Sequence, residues 1–476
     1  MKMVKQTKIV CTIGPACKDA AMLEKMVMGG MNVARLNFSH GTHEEHAAMI
    51  ATIRAVAEKT GEPVTILQDL QGPKIRVGEL PKEGVMLTNG ATVIFSTAAD
   101  AAAPTKIPVT YAGLHKDVKP GDAVLLDDGL LEVKVIKVEG MDIFCEVVNG
   151  GILTSHKGFN LPTASLSVPA ITEKDEADVR FGVSQGVDWV ALSFVRSAKD
   201  IEDLRAMIQR EVSAQGVKEK YPINIIAKIE KHEAIKNIDE IIAAVDGIMV
   251  ARGDLGIETP AEEVPLAQKR IIAKCLAAAK PVIVATQMLD SMIRNPRPTR
   301  AEVSDIANAV IDHTDAVMLS GETASGKYPL EAVETMARVI KETEASAFDD
   351  LPVPAHPHEN TASAQAVSEI ATILAKDTGA KAALVVSADG GLARLVSSHR
   401  PELPILVATD DARTQHQLNL SWGVRAFAFQ DCTTDELAKK GMEQAQKEGW
   451  VKKGNSIVLV TTGTGNANRV EIREVE

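Results

Sequence analysis

Short apolar runs alternate with longer amphipathic stretches along most of the chain. Eight of the runs have the length of buried strands, and in the stretches between them apolar residues recur with helical spacing. Strand and helix alternating eight times predict a parallel sheet, and eight such units close into a (β/α)8 TIM barrel. The predicted strands are residues 8–14, 32–39, 64–70, 188–194, 223–230, 247–254, 281–288 and 316–323.

Two further segments do not follow this rhythm. More than a hundred residues separate the third strand from the fourth, and their short strands with Asp-Gly and Glu-Gly turns predict an inserted small β-barrel. After the eighth strand, a Pro-rich polar stretch predicts a linker into a second, open α/β domain. The predicted division is barrel 1–72, insert 73–167, barrel 168–345, linker 346–360 and C-terminal domain 361–476.

Composition supports an α/β fold and excludes several classes of partner. Hydrophobic residues make up 45% of the chain and aromatics 3%, so small aliphatic residues must build the core. The net charge of −12 disfavours binding to nucleic acid or an anionic membrane. Five cysteines without paired spacing predict neither a disulfide framework nor a zinc site, and no segment has the length of a membrane span. We therefore expect a cytoplasmic protein.

Polar residues collect where the predicted strands end. All these ends lie on one face of a (β/α)8 barrel, which is the face that carries active sites. Because side chains alternate along a strand, Arg35, Asn37 and Ser39 share one face. The other polar residues at strand ends are Asp69, Lys228, Glu230, Arg252, Gly253, Asp254, Thr286, Ser320 and Glu322.

These residues predict magnesium-dependent phosphoryl transfer. Glu230 and Asp254 offer hard oxygen ligands, and Mg²⁺ usually takes one or two carboxylates. Lys228 and Arg35 supply positive charge for a phosphoryl group, whose transfer depends on positioning and electrostatic stabilisation. Gly253 lets backbone N–H groups approach an anionic substrate closely.

Structural roles remain alternatives for several of these features. Lys228 and Glu230 could form a same-face ion pair, and Asn37 and Ser39 could serve only in a turn. Three histidines at spacings of three resemble a metal site but also suit a helix start, so zinc is a further alternative. They are His40, His43 and His46.

Six longer motifs in the chain resemble those of the pyruvate kinase family. They are KIVCTIGPA, NVARLNFSHG, IIAKIE, DGIMVARGDLGIE, PVIVATQMLDSMIRNPRPTRAEVSDIANAV and MLSGETASGKYPLEAV, in the family's order. The resemblance covers the whole chain. It implies phosphoryl transfer from phosphoenolpyruvate to ADP, giving pyruvate and ATP in the last step of glycolysis. It also implies that the insert is a lid and the C-terminal domain regulatory.

The resemblance implies a role for each residue at the barrel mouth. Lys228 is similar to the residue that stabilises the transition state, and Thr286 to the one that relays a proton through water. Glu230 and Asp254 are similar to the Mg²⁺ ligands, with Mn²⁺ as a possible substitute. The implied substrate contacts are Arg35, Lys228, Gly253, Asp254 and Thr286, and the implied catalytic residues among them are Arg35, Lys228 and Thr286. The implied nucleotide contacts are Asn37, Arg76 and Lys157. The resemblance also implies a monovalent-cation site formed by Asn37, Ser39, Asp69 and the Leu70 carbonyl.

Departures from the family pattern concern cations and effectors. Lys74 replaces the Glu of many members, so we expect its ammonium near the cation site to make K⁺ dispensable. We expect a phosphorylated effector in the C-terminal domain, on the amides of Gly390 and Gly391 or the closing loop with Arg469. Asp389 would repel fructose 1,6-bisphosphate there, or could merely cap the next helix. The resemblance also implies a homotetramer.

Two other functions would use the same barrel mouth. One is a magnesium-dependent aldolase or lyase, and the other is a non-catalytic metabolite sensor. Neither explains an insert that carries Lys157, so phosphoryl transfer is the preferred hypothesis.

Overall fold

The computed structural model describes residues 5–98, 106–162, 164, 167–218, 220–349, 363–462 and 468–476. Most of the predicted linker therefore lies outside the described residues. In the first part of the barrel, strand and helix alternate as predicted. Its second helix starts with a capping box between Thr42 and Glu45 and ends at Gly61, whose φ is 68°. The elements are β1 (Lys8–Thr12), α1 (Ala20–Gly29), β2 (Val33–Asn37), α2 (His43–Thr60) and β3 (Thr65–Asp69).

The insert is built around one six-stranded sheet. Its elements are β4 (Val85–Leu87), β5 (Thr92–Ser96), β6 (Lys106–Pro108), α3 (Leu114–Asp117), β7 (Ala123–Leu126), β8 (Leu131–Glu139), β9 (Asp142–Asn149), β10 (Gly151–Leu153) and β11 (Phe159–Asn160). The sheet has the order β11-β7-β8-β9-β5-β6, and β10 pairs with β4. Residues 75–78 hydrogen-bond to both of its edges, because Val77 N donates to Lys157 O and Gly78 N to Pro108 O. The predicted small β-barrel is thus a sheet whose edges are joined by one short segment.

The second part of the barrel supplies five more strands. Its elements are α4 (Glu173–Ser184), β12 (Trp189–Leu192), α5 (Ala198–Ala214), β13 (Asn224–Ile229), α6 (His232–Lys236), α7 (Ile238–Ala244), β14 (Gly247–Ala251), α8 (Arg252–Glu258), α9 (Val264–Ala277), β15 (Val282–Ala285), a 3-10 helix (Asp290–Ile293), α10 (Arg300–Ile311), β16 (Ala316–Leu319), α11 (Gly321–Ala324) and α12 (Pro329–Glu344).

The eight strands form a closed parallel barrel in the order β1-β16-β15-β14-β13-β12-β3-β2. The predicted TIM barrel is therefore confirmed, with all eight predicted strands in it. Leu67, Trp189, Ile226 and Met249 are buried in its interior, as expected for a barrel filled by side chains. Because the strands are parallel, all their carboxyl ends lie at one mouth.

The C-terminal domain is an open sheet with helices on both faces. Its elements are α13 (Ser363–Thr378), β17 (Ala383–Val386), α14 (Gly391–Ser398), β18 (Ile405–Thr409), α15 (Ala412–Leu418), β19 (Val424–Ala428), α16 (Thr434–Lys447), β20 (Ser456–Thr462) and β21 (Asn468–Glu474). The strand order is β19-β18-β17-β20-β21, and β21 runs antiparallel to β20. This domain packs on the barrel, where Arg400 and Asp315 form a buried ion pair of 2.9 Å.

Arg469 was assigned to a closing loop, and that is wrong, because it pairs with Thr461 inside the β20–β21 hairpin. Residues 463–467 of that loop lie outside the described residues. Among the helices that the structure describes, none combines the length and apolar character needed to cross a bilayer.

Candidate active site

The barrel mouth collects the polar residues that the sequence placed at strand ends. Arg35 lies in β2, Asp69 is the last residue of β3, and Lys228 lies in β13. Asp254 belongs to α8, which starts directly after β14, and Thr286 follows β15. Each strand therefore delivers its functional side chain to the same end of the barrel.

Asp69 is the centre of a buried charge cluster. Its carboxylate lies 2.6 Å from Arg35 Nε and 3.3 Å from Lys228 Nζ. Lys228 Nζ also lies 2.9 Å from Glu230 Oε1, so the ion pair considered as an alternative is present. Arg35 Nη1 in turn donates to Thr12 Oγ1 at 2.8 Å. The two cations are thus fixed side by side by a shared carboxylate.

Burial and neighbouring charges shift the pKa values of this cluster in opposite directions. Burial alone would raise the pKa of Asp69, but Lys228 and Arg35 lower it below its usual value. Burial alone would lower the pKa of Lys228, but Asp69 and Glu230 raise it above its usual value. Burial raises the pKa of Glu230, and the nearby carboxylate of Asp254 adds to this despite Lys228. A cation beside Glu230 and Asp254 would relieve that repulsion.

The chemistry of Glu230 and Asp254 fits a magnesium ion. Glu230 Oε2 accepts a hydrogen bond of 2.7 Å from Phe194 N, which fixes the carboxylate. Lys74 Nζ lies 3.4 Å from Asp254 Oδ1. In the described part of the chain no three His, Cys, Asp or Glu residues group as metal ligands. Two carboxylates are nevertheless enough for Mg²⁺, which keeps several waters.

Thr286 and Gly253 are held together by a strained turn. Gly253 N donates to Thr286 Oγ1 at 2.7 Å, and this hydroxyl donates to Ala285 O at 2.6 Å. Thr286 has a φ of 71° and Gln287 a φ of 55°, a left-handed conformation that non-glycine residues seldom adopt. A Cβ on Gly253 would lie 3.4 Å from the Thr286 hydroxyl. The turn therefore fixes that hydroxyl against the backbone of Gly253 and Ala285.

Arg252 holds this turn in place, a role that sequence reasoning missed. Its Nη2 donates to Thr286 O at 2.8 Å, and its guanidinium forms an ion pair of 2.7 Å with Asp305. The sequence placed Arg252 at a strand end but gave no signal that its partner is the backbone of Thr286.

Ser193 is a second residue that the sequence analysis missed. Its hydroxyl accepts from Lys228 Nζ at 2.8 Å and donates to Leu70 O at 2.7 Å. The Leu70 carbonyl, expected at a monovalent-cation site, thus joins the network of Lys228. Asn37 Oδ1 accepts from Ser39 N at 3.1 Å, as in the turn-forming alternative.

The structure separates the three residues expected to contact nucleotide. Arg76 and Lys157 lie together on the insert, where Arg76 pairs with Gly158. Lys157 Nζ lies 2.7 Å from Asp127, and Arg76 Nη1 donates to His156 O at 3.2 Å. Asn37 lies in β2 of the barrel. Between insert and barrel is a cleft of about 520 Å³ lined by Lys74, Phe159, Asn160, Phe194, Arg196 and Lys231, among others.

The histidines near the second strand have structural contacts. His43 Nε2 lies 2.7 Å from Asp178, and His46 Nε2 bonds to His40 O at 2.9 Å. His46 also stacks on Phe38, with ring centroids 4.0 Å apart. These contacts account for the spacing of three without zinc.

In the C-terminal domain, the carboxylate of Asp389 already accepts a hydrogen bond from one of the backbone N–H groups that were expected to bind an anion. Gly391 N, at the first residue of α14, donates to Asp389 Oδ1 at 2.9 Å. The N-cap of α14 is Gly390, so Asp389 forms a local turn at the helix start and is not the helix cap considered as the alternative to effector binding. Arg394, one turn into α14, donates to Asp389 O at 3.2 Å.

Comparisons with known proteins agree with this architecture. The family model "Pyruvate kinase, barrel domain" matches residues 4–333, and "Pyruvate kinase, alpha/beta domain" matches residues 365–473. The chain is 44% identical to pyruvate kinase of Geobacillus stearothermophilus, covering 99% of this chain and 81% of that one. It is 41% identical to the enzyme of Clostridium acetobutylicum, covering 99% and 100%. A solved pyruvate kinase from Cryptosporidium parvum superposes with a TM-score of 0.92 at 36% identity, covering 99% and 96%.

Proposed function

The chain belongs to the pyruvate kinase family, and we propose that its barrel mouth carries out that family's phosphotransferase reaction. The reaction moves the phosphoryl group of phosphoenolpyruvate to ADP and gives pyruvate and ATP. The observation that supports this best is the carboxylate of Asp69, which holds Arg35 and Lys228 side by side next to Glu230. Two fixed cations beside two carboxylates suit a phosphoryl group and its metal.

Substrate binding uses both charge and backbone in this proposal. Arg35 and Lys228 bind the phosphoryl oxygens of phosphoenolpyruvate by charge-assisted hydrogen bonds. The backbone of Gly253 and Asp254, at the start of α8, approaches the carboxylate end of the substrate closely. Thr286 lies beside them, because its hydroxyl accepts the Gly253 N–H.

Glu230 and Asp254 would hold Mg²⁺, or Mn²⁺ in its place. A divalent ion there supplies positive charge and bridges substrate oxygens to the enzyme. Phe194 N keeps Glu230 oriented for this role. Burial raises the pKa of Glu230 and the neighbouring Asp254 carboxylate raises it further, and a bound cation would offset both effects.

Lys228 stabilises the charge that develops on the transferring phosphoryl group. Its pKa is raised, so the ammonium stays charged at neutral pH. Release of the phosphoryl group leaves an enolate, which takes a proton at carbon to become pyruvate. Thr286 relays that proton through water, and Arg252 positions it.

The insert acts as a lid that contributes to ADP binding. Arg76 and Lys157 lie together on it, and both are partly exposed cations suited to nucleotide phosphates. Asn37 would contact the nucleotide from the barrel side.

We also propose the following domain boundaries: barrel 1–72 and 168–345, insert 73–167, linker 346–360 and C-terminal domain 361–476.

A bound K⁺ is dispensable in this proposal. Asn37, Ser39, Asp69 and the Leu70 carbonyl are the candidate ligands. The Asp69 and Leu70 oxygens already take part in the network around Lys228 and Ser193. Lys74 lies against Asp254 and brings a fixed positive charge to the mouth.

Three properties beyond the active site complete the proposal. The C-terminal domain binds a phosphorylated effector other than fructose 1,6-bisphosphate. The chain assembles as a homotetramer with closed dihedral symmetry and works in the cytoplasm. Light scattering of the purified chain tests the assembly, and a dimer or monomer at working concentration would contradict it.

A coupled assay for pyruvate tests the catalytic proposal. The full chain should form pyruvate only when phosphoenolpyruvate, ADP and Mg²⁺ are all present, and EDTA should abolish the reaction. Asp254→Asn should lower the rate by about 10²-fold or more, since it removes a metal ligand. Asp239→Asn, at an exposed position of α7, is the matched control and should keep the wild-type rate. Pyruvate formed without ADP would mean that the phosphoryl group is transferred to water and would contradict the proposal, whereas binding of phosphoenolpyruvate without turnover would favour a sensor.

A further inference from the structure

A second, smaller cavity lies between the barrel and the C-terminal domain. It is a small, partly open recess, and the space of about 190 Å³ within it includes solvent at its rim. It is lined from the barrel by the segment that leads into β15 and from the other domain by α14. The lining includes Lys280, Asp315, Arg394, Ser397, Arg400 and Ser421.

One ion pair in the wall is satisfied by its own neighbours. Arg400 Nη2 lies 2.9 Å from Asp315 Oδ2, and Arg400 also donates to the carbonyls of His313 and Ser397. Asp315 Oδ1 accepts from Trp422 N at 3.0 Å. These two charges cancel, so neither requires a ligand.

The other two cations of the wall have no acidic side chain as a direct partner. Lys280 Nζ donates to the carbonyls of Ala243 and Val245, and Arg394 Nη2 donates to Asp389 O. Within the described residues, neither lies within 4.0 Å of a carboxylate oxygen. Burial lowers the pKa of both groups, and the charge of Arg394 lowers the pKa of Lys280 further. The cavity therefore carries positive charge at a cost that an anion would offset.

The acids near these cations are bound elsewhere. Asp246 is the strongest opposing charge on Lys280, and its Oδ2 lies 3.0 Å from Arg205 Nη2. The Asp389 carboxylate is exposed and accepts from Gly391 N. Both acids moderate the positive charge without occupying the cavity wall.

A buried hydroxyl without a partner completes the cavity. Ser421 is 2% exposed, and its Oγ has no hydrogen-bond partner in the described part of the chain. Buried polar groups are nearly always hydrogen-bonded, so such a hydroxyl calls for a ligand or water.

We propose that this cavity binds one small oxyanion, either free phosphate or the phosphoryl group of a phosphomonoester, through Arg394, Lys280 and Ser421. The cavity wall does not include the Gly390–Gly391 amides, although Arg394 also contacts Asp389 O beside them, and the site does not depend on the catalytic roles proposed above. Lys280 lies two residues before β15, and Thr286 follows the other end of that strand. An anion here would therefore tie the C-terminal domain to a strand of the active site.

Thermal unfolding of the full chain in phosphate or chloride at equal ionic strength tests this site. Phosphate should raise the Tm of the wild type saturably, because it binds only the folded state. Arg394→Gln should bind phosphate about tenfold or more weakly, since it loses a charge-assisted hydrogen bond. Ser421→Ala, a milder change, should weaken binding by a smaller factor. Arg473→Gln removes one positive charge from exposed β21 and should respond like the wild type.

Further measurements identify the source of the anion and distinguish this site from binding at the barrel mouth. Glycerol 3-phosphate, compared with glycerol, should bind at least as tightly as phosphate if a phosphomonoester is the natural ligand; weaker binding favours free phosphate. If phosphate also bound at the barrel mouth, the part of the Tm increase caused by that binding would be the same in the cavity variants as in the wild type. Equal phosphate affinity in wild type, Arg394→Gln and Ser421→Ala would overturn the proposal, as would the absence of a phosphate-specific Tm shift in the wild type.

Discussion

Replacing Lys228 by Met removes an ammonium group 2.9 Å from Glu230 and 3.3 Å from Asp69, while largely keeping the length of the side chain. If that ammonium stabilises the transferring phosphoryl group, kcat should fall by about 10² to 10³, or roughly 2.7 to 4 kcal/mol. Breaking a buried ion pair also costs about 3 to 5 kcal/mol of stability. We expect a loss of stability at the lower end of this range, because Arg35 still pairs with Asp69.

The same substitution should change acid unfolding in a defined direction. The folded pKa of Asp69 is lowered, so its contribution to stability is present above its unfolded pKa of about 3.9. That contribution is lost as the pH falls through the folded pKa. Without Lys228 the folded pKa rises, so the variant should unfold at a higher pH than the wild type when circular dichroism follows an acid titration.

Magnesium binding separates the catalytic role of Lys228 from a structural one. Loss of a positive charge beside Glu230 should tighten Mg²⁺ binding, since unit charges about 4 Å apart interact by roughly 1 to 4 kcal/mol. The coupled assay should therefore show a lower kcat together with a lower half-saturating Mg²⁺ concentration. Lys236→Met, at an exposed position of α6, is the control and should change neither kcat nor the half-saturating Mg²⁺ concentration. Wild-type kcat in folded Lys228→Met would refute the assignment.

Three further predictions concern cations, effectors and the strained turn. Activity should survive replacement of KCl by tetramethylammonium chloride at fixed ionic strength, and Lys74→Glu should make it depend on K⁺; collapse of the wild type without K⁺ would contradict this. Fructose 1,6-bisphosphate should lower half-saturating phosphoenolpyruvate by less than about tenfold, or roughly 1.4 kcal/mol of coupling, and a larger fall would show Asp389 to be no obstacle. Arg252→Gln should lower kcat about tenfold or more while leaving the KM for ADP unchanged, because it frees the Thr286 turn. Arg270→Gln, exposed on α9, is its control, and equal kcat in both variants would exclude positioning by Arg252.

The local pattern of apolar and polar residues was enough to predict the barrel and the residues at its mouth. Strand and helix periods are set by residues close in sequence, so the eight strands were predicted correctly from apolar runs. Parallel strands place their carboxyl ends together, which brought Arg35, Asp69 and Lys228 to one site before any distance was known. Same-face spacing likewise predicted that Lys228 and Glu230 lie side by side.

The partners of those residues were decided only by the tertiary structure. Ser193 bridges Lys228 and Leu70 at the ends of the neighbouring strands β3, β12 and β13; the order of these strands was predictable, but the hydrogen bonds between their side chains were not. The contact between Arg252 and the Thr286 carbonyl depends on a left-handed turn that no propensity predicts for Thr-Gln. Lys280 and Arg394 line one cavity because two domains dock there. Sequence patterns give the order and the faces of elements, whereas distances between remote side chains follow from closure, register and domain packing.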